Sequence, residues 1–178
     1  MKHLYLLVCM MPLSVNIIGQ DLAHAGGADR SVDELFAKGE EAYRAAEHAQ
    51  AIGFYDQVLE LDPEHMNAYL QRGFCNSLVK RYDAAVKDFS AVIARKPDHV
   101  WAFISRGSAY NKLEQYDKAM LDFDMALSLD PENQEAYNNR GWSKKALGDP
   151  KGACKDWKTS QRNGNSEARI ILSNNRCK

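Results

Sequence analysis

Apolar and polar positions in this chain alternate at helical spacing, and the whole pattern repeats every 34 residues. Residues 100–133 show one full period. Phe103, Gly107 and Tyr110 fall on a stripe at i, i+4 and i+7. A polar break follows at Leu113-Glu114-Gln115-Tyr116. A second stripe, Ala119, Phe123, Ala126 and Leu127, stops at Leu129-Asp130-Pro131. Each stripe has the period of an amphipathic helix, so each period predicts a helical hairpin. The same beat places Gly39, Gly73, Gly107 and Gly141 in register. It also aligns Ala51, Ala85, Ala119 and Ala153, the aromatics Tyr55, Phe89, Phe123 and Trp157, and Pro63, Pro97 and Pro131.

A hairpin of this size cannot bury its apolar face alone and must stack on its neighbours. The pattern predicts an all-α fold: an α-solenoid of four helix-turn-helix units at 32–65, 66–99, 100–133 and 134–165. A capping helix and tail follow at 166–178. A glycine inside a helix costs roughly 1 kcal/mol relative to alanine. Four of them in register imply a packing reason: close approach of the unit's second helix, with the small alanines opposite and the aromatic beyond. The prolines punctuate the units, disfavouring helix for the residue before and fitting the first turn of the next. In Asp62-Pro63-Glu64 and Asp130-Pro131-Glu132 the aspartate is expected to cap and the glutamate to sit in the first turn. Asn163-Gly164 reads as a helix stop, and Ser166 to Leu172 as the cap over the last unit.

Composition changes the picture at the N-terminus. Met1-Lys2-His3, a mostly apolar run from Leu4 to Gly19 and an Ala23-His24-Ala25 pattern predict a secretory signal peptide over 1–25, with an alternative cut after residue 19. A membrane anchor is the competing reading; the run is short for a span and holds Pro12, Ser14 and Asn16. Residues 26–31 read as a linker. The expected location is exported, periplasmic or secreted, with no membrane span after signal removal. Apolar residues make up 45% and charged residues 26%, as in globular proteins. A net charge of −1 argues against nucleic acid as a partner.

On Phe103, Gly107, Tyr110, Ala119, Phe123 and Pro131, the chain resembles the tetratricopeptide repeat family, in four copies over residues 32 to 165. Two departures stand out. The leucine of the family pattern before each glycine is Lys38, Arg72, Arg106 or Arg140. The fourth unit lacks the closing proline and has Pro150 where Tyr82 and Tyr116 stand earlier. Each arginine is followed sixteen residues later by Asp88, Asp122 or Asp156, whereas Lys38 is followed by Phe54. Paired substitution suggests Arg–carboxylate pairs joining helices; the alternative is solvated charge on an outer face. The stretch Gly152 to Trp157, with a second cysteine near the end, is similar to the closing unit of exported bacterial members.

The resemblance implies that the first helix of each unit lines a concave groove for a peptide or protein partner. Transferred by register, the groove would hold Phe36, Glu40, Tyr43, Leu70, Gln71, Phe74, Trp101, Ile104, Ser105, Ser108, Asn138, Asn139 and Trp142. The competing reading puts some of these aromatics in the core between helices. The family's carboxylate clamp needs cations that neither register supplies: one offers Phe36, Glu40, Gln71, Trp101 and Ser105, the other Leu70, Phe74, Ser105, Glu135 and Asn139. His48, His65 and His99 lack metal-site spacing, Cys75 has no nearby base, and no Gly-rich phosphate loop is present. The sequence therefore points to no enzyme, no cofactor and no metal. It points to an exported protein-interaction module, with a scaffold subunit of an envelope complex as the alternative and an enzyme as a distant one. Cys154, on the last unit's second helix, and Cys177, beyond a cap that must fold back to cover Ile170, Ile171 and Leu172, are expected to form a disulfide. Free thiols are expected if the chain stays in the cytosol.

Overall fold

The computed structural model describes residues 18–177, with side chains from residue 31. The described residues form helices throughout: α1 (Ile18–Arg44), α2 (His48–Leu61), α3 (Met66–Leu78), α4 (Tyr82–Arg95), α5 (Val100–Lys112), α6 (Tyr116–Leu129), α7 (Gln134–Ala146), α8 (Pro150–Arg162) and α9 (Ala168–Asn174). Each helix packs on the next in sequence, so the architecture is an α-solenoid of four hairpins closed by α9. Ala23-His24-Ala25 and the stretch read as a linker, 26–31, fall within α1. The apolar run of the expected signal peptide lies, up to residue 17, outside the described residues. No described helix is long and apolar enough to cross a membrane.

The repeated glycines have a more specific cause than helix approach. A Cβ on Gly107 would sit 2.7 Å from Cε1 of Phe123, and one on Gly73 the same distance from Cε1 of Phe89. Gly39 and Gly141 lie likewise beneath Tyr55 and Trp157. The neighbour is therefore the ring four residues beyond the alanine, which lies flush on the first helix. These rings and the alanines at 51, 85, 119 and 153 are fully or almost fully buried and form the core of each hairpin.

Two expectations about helix ends are corrected. Pro63 and Pro131 stand in the turns, ahead of helices that start at Met66 and Gln134. Asp62 and Asp130 are C-caps of the preceding helices, and their Oδ1 atoms accept from the Glu64 and Glu132 backbone N–H. The capping is done three residues later by His65, His99 and Asn133. Their side chains accept from the N–H of Ala68 (3.0 Å), Ala102 (3.2 Å) and Ala136 (3.0 Å). Each capped alanine needs no room and is buried completely.

The turns inside the hairpins share one device. Ala46, Lys80, Glu114 and Gly148 all have positive φ and again stand 34 apart. The following N–H reaches back to a carbonyl five residues earlier, as in Gln115 to Tyr110 and Asp149 to Lys144, the Schellman closure of a helix end. Only Gly148 is the residue that favours this conformation. α9 ends identically: Arg176 is left-handed and the Cys177 N–H donates to the Leu172 carbonyl.

Candidate interaction surface

Charge first tells inner and outer layers apart. Arg106 forks onto Asp122, with Nε 2.8 Å from Oδ2 and Nη2 2.7 Å from Oδ1. Arg140 forks onto Asp156 and Arg72 onto Asp88 in the same way. These aspartates are only 3–4% exposed, so the pairs join the two helices of one hairpin and are not solvated surface charge. The sequence reading missed the other half. Each guanidinium also reaches back sixteen residues to the previous hairpin: Arg72 to Asp56 (2.6 Å), Arg106 to Ser90 (3.0 Å) and Arg140 to Asp124 (2.6 Å). Positions 56, 90 and 124 keep the 34-residue beat and carried that signal. These contacts raise the arginines above their ordinary pKa against the opposing effect of burial. The ladder ties the four successive second helices, α2, α4, α6 and α8, together through the first helices between them.

First helices approach one another, α3 to α5 and α5 to α7, more closely than second helices do. The stack therefore curves with first helices inside. On α5 the solvent stripe of that layer is Trp101, Ser105, Ser108 and Lys112; on α7 it is Glu135, Asn139, Trp142 and Ala146. Trp101 is 52% exposed and Trp142 41%. Trp142 rests edge-on against Trp157, centroids 4.9 Å apart. Lys145 Nζ lies 5.3 Å from its ring centroid. Beside it a depression of about 480 Å³ is lined by Ser108, Asn111, Lys112, Tyr116, Asn139, Trp142, Lys145 and Ala146. Its polar floor is fixed: Asn139 Nδ2 donates to Ser108 Oγ (3.2 Å), Asn111 Nδ2 donates to the Asn139 carbonyl (3.3 Å), and Ser143 Oγ donates to Asn111 Oδ1 (2.7 Å).

The other residues expected in the groove divide between surface and core. Ile104 is 1% exposed and belongs to the core of the third hairpin. Phe36 packs on the rings of Tyr55 and His65, and Tyr43 on His48. Leu70 and Phe74 pack against the Phe89 cluster. All four are half-buried, as are Glu40, Gln71, Ser105 and Ser108. The Asn138 carbonyl accepts from the Trp157 indole N–H at 3.1 Å. Asn111 and Lys145 stand in register with Tyr43 but were not carried over to the later units, and Lys112 at the end of α5 and Tyr116 at the start of α6 were not anticipated either. Among the described residues no group of His, Cys, Asp and Glu is placed to hold a metal ion.

The C-terminal end of the stack is closed covalently. Cys154 and Cys177 form a disulfide with Cα atoms 5.5 Å apart. Cys75 is a free, buried thiol, and burial pushes it from 9.0 up to about 11.

The tetratricopeptide repeat signature matches residues 100–133. No curated protein sequence matches the chain. Among solved structures, a MamA RS-1 double mutant is 26% identical over 76% of both chains, with a TM-score of 0.72. MamA from Desulfovibrio magneticus RS-1 is 23% identical over 84% of this chain and 94% of its own, with a TM-score of 0.71. The first repeat domain of Spaghetti (RPAP3), bound to the HSP90 peptide SRMEEVD, is 24% identical over 67% of this chain and 94% of its own, at 0.64. The 34-residue period, the ring-on-glycine core, the hairpin stack and these matches give the chain the tetratricopeptide repeat fold, an architecture for protein–protein contact, with the family's own signature over residues 100–133.

Proposed function

We propose that this protein is an exported interaction module that binds an extended peptide segment of a partner along the inner face of α5 and α7. The observation that carries the reading is the pair of exposed tryptophans on that face, Trp101 and Trp142. Large aromatic groups in water are costly to keep and dominate binding energies when covered. Trp142 supplies an apolar platform, the Asn111–Asn139 floor is rigid, and Lys112 and Lys145 supply positive charge at one end. A segment with an apolar side chain followed by an acid fits this chemistry. The RPAP3 domain shares the fold and holds an HSP90 peptide. This chain lacks cations at the positions transferred for a carboxylate clamp, so its peptide is of another kind. Export is supported by the N-terminal pattern and by a disulfide that persists only under oxidising conditions. The test of export is N-terminal sequencing from the native host: a start near Gln20 or Gly26 is expected, and an intact Met1 overturns it.

A scaffold role is favoured by one different observation. On the outer face of α6, Leu121 (67% exposed), Met125 (45%) and Leu129 (39%) form an apolar stripe. Capture of partners from the native envelope fraction by wild type, Trp101→Ala/Trp142→Ala and Leu121→Ser/Met125→Ser separates the two. Loss of partners with the tryptophan variant alone supports the groove. Loss with the α6 variant alone overturns it in favour of the outer stripe.

A further inference from the structure

The net charge of −1 hides a separation of charge along the stack. Residues 32–65 carry nine acids and two bases, while residues 134–178 carry ten bases and four acids. The two units between them carry nine of each. The solenoid is therefore acidic at its first end, neutral in the middle and basic at its last end. In a linear stack the ends are where a unit lacks a neighbour on one side. The basic end also has shape. Between α8 and α9 lies a groove of about 950 Å³, with the Cys154–Cys177 disulfide and Leu172 as apolar lining and Lys151, Lys155 and Arg176 at its edge. Lys151 and Lys155 are exposed one helical turn apart and form no salt bridge among the described residues. At the acidic end Asp33, Glu34 and Glu41 are exposed on α1 and equally unpaired among the described residues.

We infer that the basic groove between α8 and α9 receives the acidic first unit of a second copy of this chain, joining copies head to tail. Both complementary surfaces are present on one chain, at opposite ends, which selects a second copy over an unrelated acidic segment. Such a contact uses two different patches, so it builds rings or open chains and not a two-fold dimer. The disulfide has a defined part in it: by holding Cys177 to α8 it keeps Arg176 and Leu172 in the groove wall. The inference does not rest on the inner-face reading, because neither Trp101 nor Trp142 takes part.

The test is sedimentation of the full chain at rising concentration, in about 30 mM and about 300 mM salt, where the screening length falls from well above to well below 10 Å. Expected is concentration-dependent growth at low salt, weakened at least about ten-fold at high salt. Lys151→Glu/Lys155→Glu and Glu34→Lys/Glu41→Lys should each remain monomeric alone and associate when mixed. Trp101→Ala should associate as wild type does. A wild type that stays monomeric at low salt overturns the inference. So does association that survives either charge reversal. A monomeric wild type that binds a poly-glutamate peptide through Lys151 and Lys155 also overturns it, assigning the groove to a different acidic chain.

Discussion

The arginine ladder predicts that one substitution, made at three equivalent positions, has unequal cost. In the third hairpin the Asp122 carboxylate, 6% exposed, is held by Arg106 alone among the described residues. In the second, Asp88 also accepts from Asn76 Nδ2 at 3.0 Å. In the fourth, Asp156 also has Lys144 Nζ at 2.8 Å. Replacing arginine by methionine keeps most of the side-chain volume and removes the charge. Arg106→Met therefore strands a buried carboxylate and should cost about 3–5 kcal/mol. Arg72→Met and Arg140→Met leave a second donor in place and should cost about 1–3 kcal/mol, the scale of a lost charged hydrogen bond. The double variant Arg106→Met/Asp122→Leu should recover most of the loss, since an apolar pair of similar volume substitutes well for a buried ion pair. The first hairpin already follows that logic: Phe54 stands where the others have aspartate, half-buried against the core. Urea denaturation followed by circular dichroism measures these four variants and the Asp122→Leu single. Equal losses at the three arginines, or a double variant as unstable as the sum of its singles, would refute the assignment of partners.

Two further predictions concern packing and the buried thiol. Gly53→Ala and Gly107→Ala make the same change in helix interiors and should act with opposite sign. Among the described residues nothing lies within 4 Å of a Cβ at position 53, so helix propensity should stabilise by up to about 1 kcal/mol. At position 107 the new methyl meets the buried Phe123 ring and should destabilise by about 1–3 kcal/mol, a sign difference that thermal melting reads directly. The raised thiol of Cys75 implies a stability contribution that is whole below about pH 9 and is lost as pH rises through about 11, because the unfolded chain releases that proton first. Cys75→Ala should flatten the loss of stability across that interval, and a wild-type-like slope in this variant would contradict it.

The fold was legible because a stack repeats its physics: one ring, one glycine and one alanine per hairpin, each in register with the last. The disulfide was legible because α8 was the surface within reach of α9, although the expected cover is only partial: Ile171 and Leu172 are half-buried and Ile170 stays 64% exposed. Local polar chemistry was less legible. In the sequence His65 and His99 stood out only for lacking metal-site spacing, and their role as N-caps emerges only beside Asn133, which does the same work at the same register. Asp56 and Asp124 drew no attention in the sequence, although both hold an arginine from the next hairpin. The inner surface was the least legible part. A residue on a first helix can face the groove or the next hairpin, and one position separates Ile104 in the core from Ser105 on the surface.

The central claim is that the inner face around Trp142 binds the partner, and affinity for the captured partner tests it most directly. Titration should show Trp142→Ala weakened by about 2 kcal/mol, more than ten-fold, with unchanged helicity. Leu121→Ser on the outer face should bind as wild type does. Full affinity in Trp142→Ala, with binding lost in Leu121→Ser, would contradict the account.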